Sequence, residues 1–213
     1  MIWIKGPPLG PPVALPAMDT LKLIDDLQAT LRRQMDRVRE LQDMPLDKLR
    51  ERPAPERWSA LEVVEHMNLS TGKYHQGLMK VYADPRSGLR FRSTFKPGRW
   101  GNLGADGMVP RPDGSIRWRM RTMGMFEPRP GRVTDRSPIE RFLIIQQDLL
   151  DLLEKARTRG IEGARVTSTL GPILRFKAGD AFRFPIAHQE RHLLQLQRTL
   201  DAVGVQRTAS PAM

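Results

Sequence analysis

The sequence predicts an all-α protein, a four-helix bundle with a long, partly extended insertion between its second and third helices. Three observations predict it. Apolar residues recur at three- and four-residue intervals in four separate segments. Start and stop signals bracket those segments. The stretch 84–136 between the second and third lacks that period and is rich in Gly, Pro and Arg.

The first segment covers 20–43, where Ile24, Leu27, Leu31, Met35, Val38 and Leu41 share one face and Pro45 follows as a stop. The second opens on Ser59-Ala60-Leu61-Glu62, a capping box pattern. It places Val63, Val64, Met67, Tyr74, Leu78, Val81 and Tyr82 on one side before Asp84-Pro85 ends it. The third opens on another such pattern, Ser137-Pro138-Ile139-Glu140, with Phe142, Leu143, Gln146, Leu149, Leu150 and Leu153 as its stripe and Gly160 as its end. The fourth starts near Gly179-Asp180 and carries Phe182, Ile186, Leu193, Leu196, Leu200 and Val203 up to Gly204. Pro185 falls about one turn inside it, so it either bends the helix or moves the true start later.

Within the insertion, aromatics at Phe91, Phe95, Trp100, Trp118 and Phe126 predict that it packs onto the bundle, with a short hairpin around Pro112-Asp113-Gly114-Ser115. A smaller insertion, Val166 to Phe176, reads as a strand or extended loop. The expected organisation is a flexible leader (1–18), one bundle domain (19–205, containing the insertion) and a flexible tail (206–213).

With 213 residues, 39% hydrophobic and 28% charged, the chain has the composition of an ordinary soluble domain and no run long enough to span a membrane. It contains no cysteine, which excludes disulfides and thiolate metal sites and fits a reducing, cytoplasmic setting. The net charge of +11, carried mostly by arginine, favours anionic partners without choosing among them. Arg117, Arg119 and Arg121 alternate with Trp118 and Met120, a pattern that presents a basic strand face to a phosphate or carboxylate, or simply to solvent. Phosphate loops, nucleophile elbows and dinucleotide fingerprints are all missing, which excludes the commoner nucleotide enzymes.

Chemistry concentrates in the histidines, of which there are only four. His188 and His192 are four apart, so on a helix their rings lie about one turn apart on one face, a spacing that suits two ligands of one metal ion. Taken alone, the pair fits solvated or hydrogen-bonded histidines as well. Both fall at the margin of their helix's apolar stripe, and His66 lies at a similar margin of the second helix, so the three are placed to meet across a bundle seam. His75 points away from His66 and is expected to be exposed. Glu62 is expected to cap its helix, and Glu65 and Glu190 to be solvated or to orient an imidazole. Trp58 is expected to anchor the start of the second helix.

The run Trp58-Ser59-Ala60-Leu61-Glu62-Val63-Val64-Glu65-His66 resembles the W-S-x-x-E-x-x-x-H opening of the second helix in DinB-like (DinB/YfiT) proteins. The run from Gly179 to Gln195, ending His188-Gln189-Glu190-Arg191-His192-Leu193-Leu194-Gln195, is similar to their last helix with its H-x-x-R-H-x-x-Q. Phe95-Lys96-Pro97-Gly98 and Phe126-Glu127-Pro128 add to the resemblance, which covers residues 20–203. It implies a four-helix bundle in which His66, His188 and His192 ligate a divalent ion such as zinc or nickel, with coordination positions left open. It also implies hydrolase chemistry, or transferase or isomerase chemistry using a low-molecular-weight thiol, on a small-molecule substrate, and a homodimer. The alternative is a non-catalytic basic bundle that binds nucleic acid or serves a stress response.

Overall fold

The computed structural model describes residues 17–116, 122–129, 131–171 and 173–205. The predicted leader up to residue 16, the tail from residue 206 and the basic alternation of Arg117, Arg119 and Arg121 lie outside the described residues. Four long helices form the bundle: α1 (Thr20–Arg39), α3 (Ala60–Ala83), α5 (Ser137–Arg159) and α6 (Ala178–Ala202). The short α2 (Leu46–Arg50) and the insertion helix α4 (Arg99–Met108) complete the helical set among the described residues. α1 and α3 each pack against both α5 and α6, so the helices run α1–α5–α3–α6 around a square. That order makes α3 and α6, the two carriers of the candidate ligands, direct neighbours.

Each long helix buries the stripe its sequence predicts, with Val81 and Leu143 only partly buried at its edges. In α1 the six apolar positions from Ile24 to Leu41 are all buried, although the last of them sits on a 3-10 turn, Glu40–Asp43, that tightens the helix end. The α1 start is capped by Asp19, whose carboxylate accepts from the Lys22 N–H at 2.7 Å. At the α3 start the capping box is complete, with Glu62 N–H donating to Ser59 Oγ at 3.3 Å and Ser59 N–H donating to Glu62 Oε2 at 2.9 Å. Arg52 donates to the same carboxylate.

The second expected capping box does not form. Arg136 is the N-cap of α5 and makes no side-chain cap bond, while Ser137 already lies inside the helix with its N–H on Asp135 Oδ1 at 2.9 Å. With Pro138 next in line, the helix begins one residue earlier than the Ser-x-x-Glu spacing requires, and Glu140 cannot reach back as a box partner. α6 runs unbroken through Pro185, and its start is not delayed. The ring removes only the N–H that would bond the Ala181 carbonyl.

The insertion is more helical than its composition predicts, because α4 forms from a glycine-rich run that has little helix propensity. Tertiary packing supplies what propensity does not. The Asp180 carboxylate, fully buried on α6, accepts from the Gly98 N–H at the α4 start at 2.7 Å and from Arg183 at 3.1 Å. Arg183 in turn donates to Asn102 Oδ1 at 3.0 Å. A Cβ at Gly101 would collide with the Asp180 side chain, and one at Gly104 would lie 2.9 Å from the Phe184 ring, so glycine is what lets α4 lie this close to α6. A turn forms at the expected hairpin position, with Arg111 N–H on the Ser115 carbonyl at 2.9 Å. The smaller insertion is a hairpin of β3 (Arg165–Thr167) and β4 (Arg175–Lys177). β1 (Met18–Asp19) pairs with β2 (Thr94–Phe95) and ties the front of α1 to the insertion.

The apolar core divides into two clusters. One gathers the second half of α3 with the first half of α6, and the other gathers the first half of α3 with the second half of α6. Between them lies a polar layer. Gln189 Nε2 donates to Thr71 Oγ1 at 3.0 Å and to Gln146 Oε1 at 3.2 Å, joining α6, α3 and α5. Gln34 of α1 donates to the Ile186 carbonyl at 3.0 Å and to Glu190 Oε1 at 2.6 Å.

Burial alone would raise the Glu62 carboxyl, but the Arg52 guanidinium and the Ser59 N–H outweigh it and hold it below its ordinary value of 4.5. The stabilisation from ionised Glu62 is therefore complete above 4.5 and is lost as acid carries the pH down through the lower folded value. Glu62→Gln is expected to cost about 1–2 kcal/mol at neutral pH. Urea unfolding of both proteins should show the gap closing as the pH drops below that window; a gap of unchanged size in acid would contradict the assignment.

Candidate metal centre

His66 on α3 and His188 and His192 on α6 converge at the junction of the two core clusters. His66 Nε2 lies 3.1 Å from His192 Nε2, and His192 Nε2 lies 3.0 Å from His188 Nε2. One nitrogen from each of the three rings falls within 4.8 Å of the other two. The ring centroids are 4.4 Å apart for His66 and His192 and 4.3 Å apart for His188 and His192, with the planes steeply inclined, so the rings point at a common centre and do not stack. His66 and His192 are buried, and His188 is partly open.

The outer nitrogens fix the tautomers. His66 Nδ1 lies 2.7 Å from the Phe126 carbonyl, which only accepts, so the proton is on Nδ1 and Nε2 carries a lone pair. His192 Nδ1 lies 2.9 Å from Gln195 Oε1, with the same consequence. Two bare nitrogens therefore face each other at 3.1 Å with no proton between them. His188 can donate a single proton into this group, which cannot relieve both contacts. A cation at the centre relieves all of them at once. The separations also match the edge of about 3 Å that two imidazole nitrogens span when each sits about 2.1 Å from one ion at right angles. The donor set thus fits a divalent metal, and the oxygen acceptors behind the His66 and His192 rings follow the pattern of metal-bound histidines.

Electrostatics keep the rings neutral, the form that binds metal. Burial lowers all three. His188 falls well below its ordinary value, with the neighbouring rings and Arg191 lowering it further. His192 is pushed down to about 3 by burial and by His66, and Arg191 also lowers it. In His66 burial outweighs the opposing Phe126 hydrogen bond.

The cluster opens into a cavity of about 80 Å³, room for roughly five waters or a small organic molecule. Phe126, Met123, Leu170 and Phe184 give it apolar walls, while Tyr74, Thr169 and Arg191 supply polar ones. Tyr74 is held by the hairpin, its hydroxyl 3.0 Å from both Ser168 Oγ and Thr169 Oγ1 and accepting from the Thr169 N–H at 3.1 Å. Pro185 lines the same cavity without displacing His188.

A family model described as the DinB superfamily matches residues 26–196. The chain belongs to the DinB superfamily. A search of curated proteins and one of solved structures found no match. In this DinB superfamily protein, the fragments Phe95–Gly98 and Phe126–Pro128, remote in sequence from the helices, both reach α3 or α6: Gly98 binds Asp180 and the Phe126 carbonyl binds His66.

Several expectations about individual residues change. His75 is not exposed; it is partly buried, its Nε2 2.9 Å from Asp148 Oδ2 across the α3–α5 seam. Glu65 and Glu190 do not orient the imidazoles. Arg141 holds Glu65 at 2.9 Å and Gln34 holds Glu190, because each carboxylate faces another helix. Orientation comes instead from Gln195 and the Phe126 carbonyl. Gln195 was discoverable, being three residues after His192 on one helix face. A main-chain carbonyl supplied by the insertion leaves no signal in side-chain identity. Trp58 does more than start the helix, since its ring packs 5.0 Å from that of His66.

In long-range 1H–15N correlation spectra of the metal-free protein at neutral pH, His66 and His192 are expected to appear as Nδ1–H tautomers. An Nε2–H tautomer at either ring would overturn the facing-lone-pair geometry.

Proposed function

We propose that this DinB superfamily protein is a metal-dependent enzyme in which His66, His188 and His192 hold one divalent ion, zinc or nickel, beside a cavity that admits a small-molecule substrate and a water or small thiol. The single observation that carries this reading is the meeting of the bare Nε2 atoms of His66 and His192 at 3.1 Å inside the fold. A divalent ion there supplies Lewis acidity, which lowers the pKa of a water or thiol enough to make a nucleophile at neutral pH.

The chain's own residues do the rest. Phe126 and Gln195 fix the proton on the outer nitrogen of two rings, so that both present lone pairs inward. Burial keeps the rings unprotonated. Phe184, Leu170 and Met123 exclude bulk water from one side of the cavity, which strengthens every charge interaction within it. The reaction is of the hydrolase or thiol-dependent transferase type.

Protein purified without an affinity tag is expected to contain one zinc or nickel per chain by elemental analysis. Alanine at His66, His188 or His192 should remove the metal, together with turnover in a screen of small thiols and water against electrophilic substrates. Gln195→Leu should keep the fold and weaken metal affinity by roughly 10–100-fold. Turnover that survives loss of the metal would end this reading.

A further inference from the structure

We infer that the Thr169 hydroxyl is a substrate-binding hydrogen-bond donor, held ready by Tyr74 and Ser168, and that the substrate presents a carbonyl oxygen to it. This rests on the catalytic reading above and narrows its substrate class.

Three hydroxyls meet where the β3–β4 loop reaches α3. Tyr74 Oη lies 3.0 Å from both Ser168 Oγ and Thr169 Oγ1 and accepts from the Thr169 N–H at 3.1 Å. Ser168 Oγ in turn accepts from the Leu170 N–H at 3.1 Å. The count of protons and lone pairs sets the direction of this chain. A phenol oxygen donates one hydrogen bond and accepts at most two. Ser168 is buried, and among the described residues the Tyr74 oxygen is the one acceptor within reach of its proton. A buried hydroxyl without an acceptor bears the full cost of its lost hydration, so Ser168 donates to Tyr74. That bond and the Thr169 N–H fill both acceptor positions of Tyr74, and the Tyr74 proton goes to Thr169 Oγ1. The chain thus runs from Ser168 through Tyr74 to Thr169. Its last proton, on Thr169, has no acceptor among the described residues.

Thr169 is only partly buried and lines the cavity beside the histidines, so that proton is available to whatever occupies the space. Hydroxyls linked in series polarise one another and strengthen the terminal donor. Burial outweighs the bonds from Ser168 and Thr169 and raises the Tyr74 phenol above its ordinary value of 10.0, so the chain keeps its protons at neutral pH. The Phe184 ring packs against both ends of the site, its centroid 5.5 Å from that of Tyr74 and 6.2 Å from that of His188. In a cavity of about 80 Å³, a molecule that fills the space meets the hydroxyl and the imidazoles together. An alcohol or amine would bring protons of its own to a Tyr74 oxygen already full. A carbonyl oxygen brings only lone pairs, and its carbon is the electrophile that a water or thiol attacks.

The test uses the full chain, metal-free, titrated with acetone carrying 13C at the carbonyl and with isobutene, which has the same shape and no oxygen. The acetone carbonyl signal should move downfield and saturate. In Thr169→Val that shift is expected to vanish and acetone affinity to fall about threefold to tenfold, with isobutene bound as tightly as before; Thr169→Ser should restore both. Tyr74→Phe keeps the Thr169 hydroxyl without its polarising partner, so the shift should shrink. A parent protein with no saturable carbonyl shift, a Thr169→Val protein that keeps it, or a Tyr74→Phe protein with the full shift overturns the inference. Equal losses of acetone and isobutene binding in Thr169→Val also overturn it, since they report a damaged cavity wall. Zinc content separates the two readings: a wild-type chain that takes up no zinc refutes the catalytic proposal, while one zinc per chain with no carbonyl response refutes only this one.

Discussion

Bringing three imidazoles together, with the inward nitrogens of the buried His66 and His192 face to face, is the constraint that organises this protein. His66 and His192 give up their water shell on entering the core, and an unpaired polar group there costs roughly 1–3 kcal/mol. The fold meets that cost at the outer nitrogens, through the Phe126 carbonyl and the Gln195 amide, and leaves the inner nitrogens as a candidate ligand set. Nothing about the arrangement survives unless α3 and α6 are adjacent and in register. The square packing order provides the adjacency.

The polar layer provides the register. Gln189, next to His188 in sequence, is bonded to Thr71 on α3 and Gln146 on α5, and all three are fully buried. Sliding α3 along α6 by one turn, about 5.4 Å, would keep apolar against apolar but would leave these groups unpaired and separate His66 from the α6 pair. Apolar stripes alone tolerate such slips, whereas a buried polar network does not. The glutamine–threonine layer and the histidine cluster are thus parts of one belt between two apolar clusters, the first fixing alignment and the second using it.

The insertion has a comparable double role. α4 is clamped to the first turn of α6 by Asp180 and Arg183, while the 3-10 turn Gly124–Phe126 brings a carbonyl to His66. That turn, with Thr122 and Met123 before it, and the β3–β4 hairpin, which fixes Tyr74, form part of the cavity wall beside the histidines. The bundle supplies the candidate ligands and the connections supply part of the walls, a division common where rigid elements carry loops that bear function.

The four bundle helices were legible because each carries a full apolar stripe and a stop, and the capping box at Ser59 and Glu62 marked the α3 start correctly. The same pattern failed at Ser137, where a proline and an upstream Arg136 cap moved the boundary, and α4 was missed because its glycines lower helix propensity and signal only a close approach to another helix. The histidine spacing and stripe margins singled out His66, His188 and His192, and separated His75 from them, since helical geometry is local and regular enough to be read from residue identity. What residue identity cannot encode is which helices become neighbours, which main-chain carbonyl arrives at an imidazole, and which side chains close a cavity. The sequence therefore determined the bundle and its ligand candidates, while the tertiary structure alone decided their convergence, their tautomers and the walls of the cavity beside them, because those depend on contacts between residues far apart along the chain.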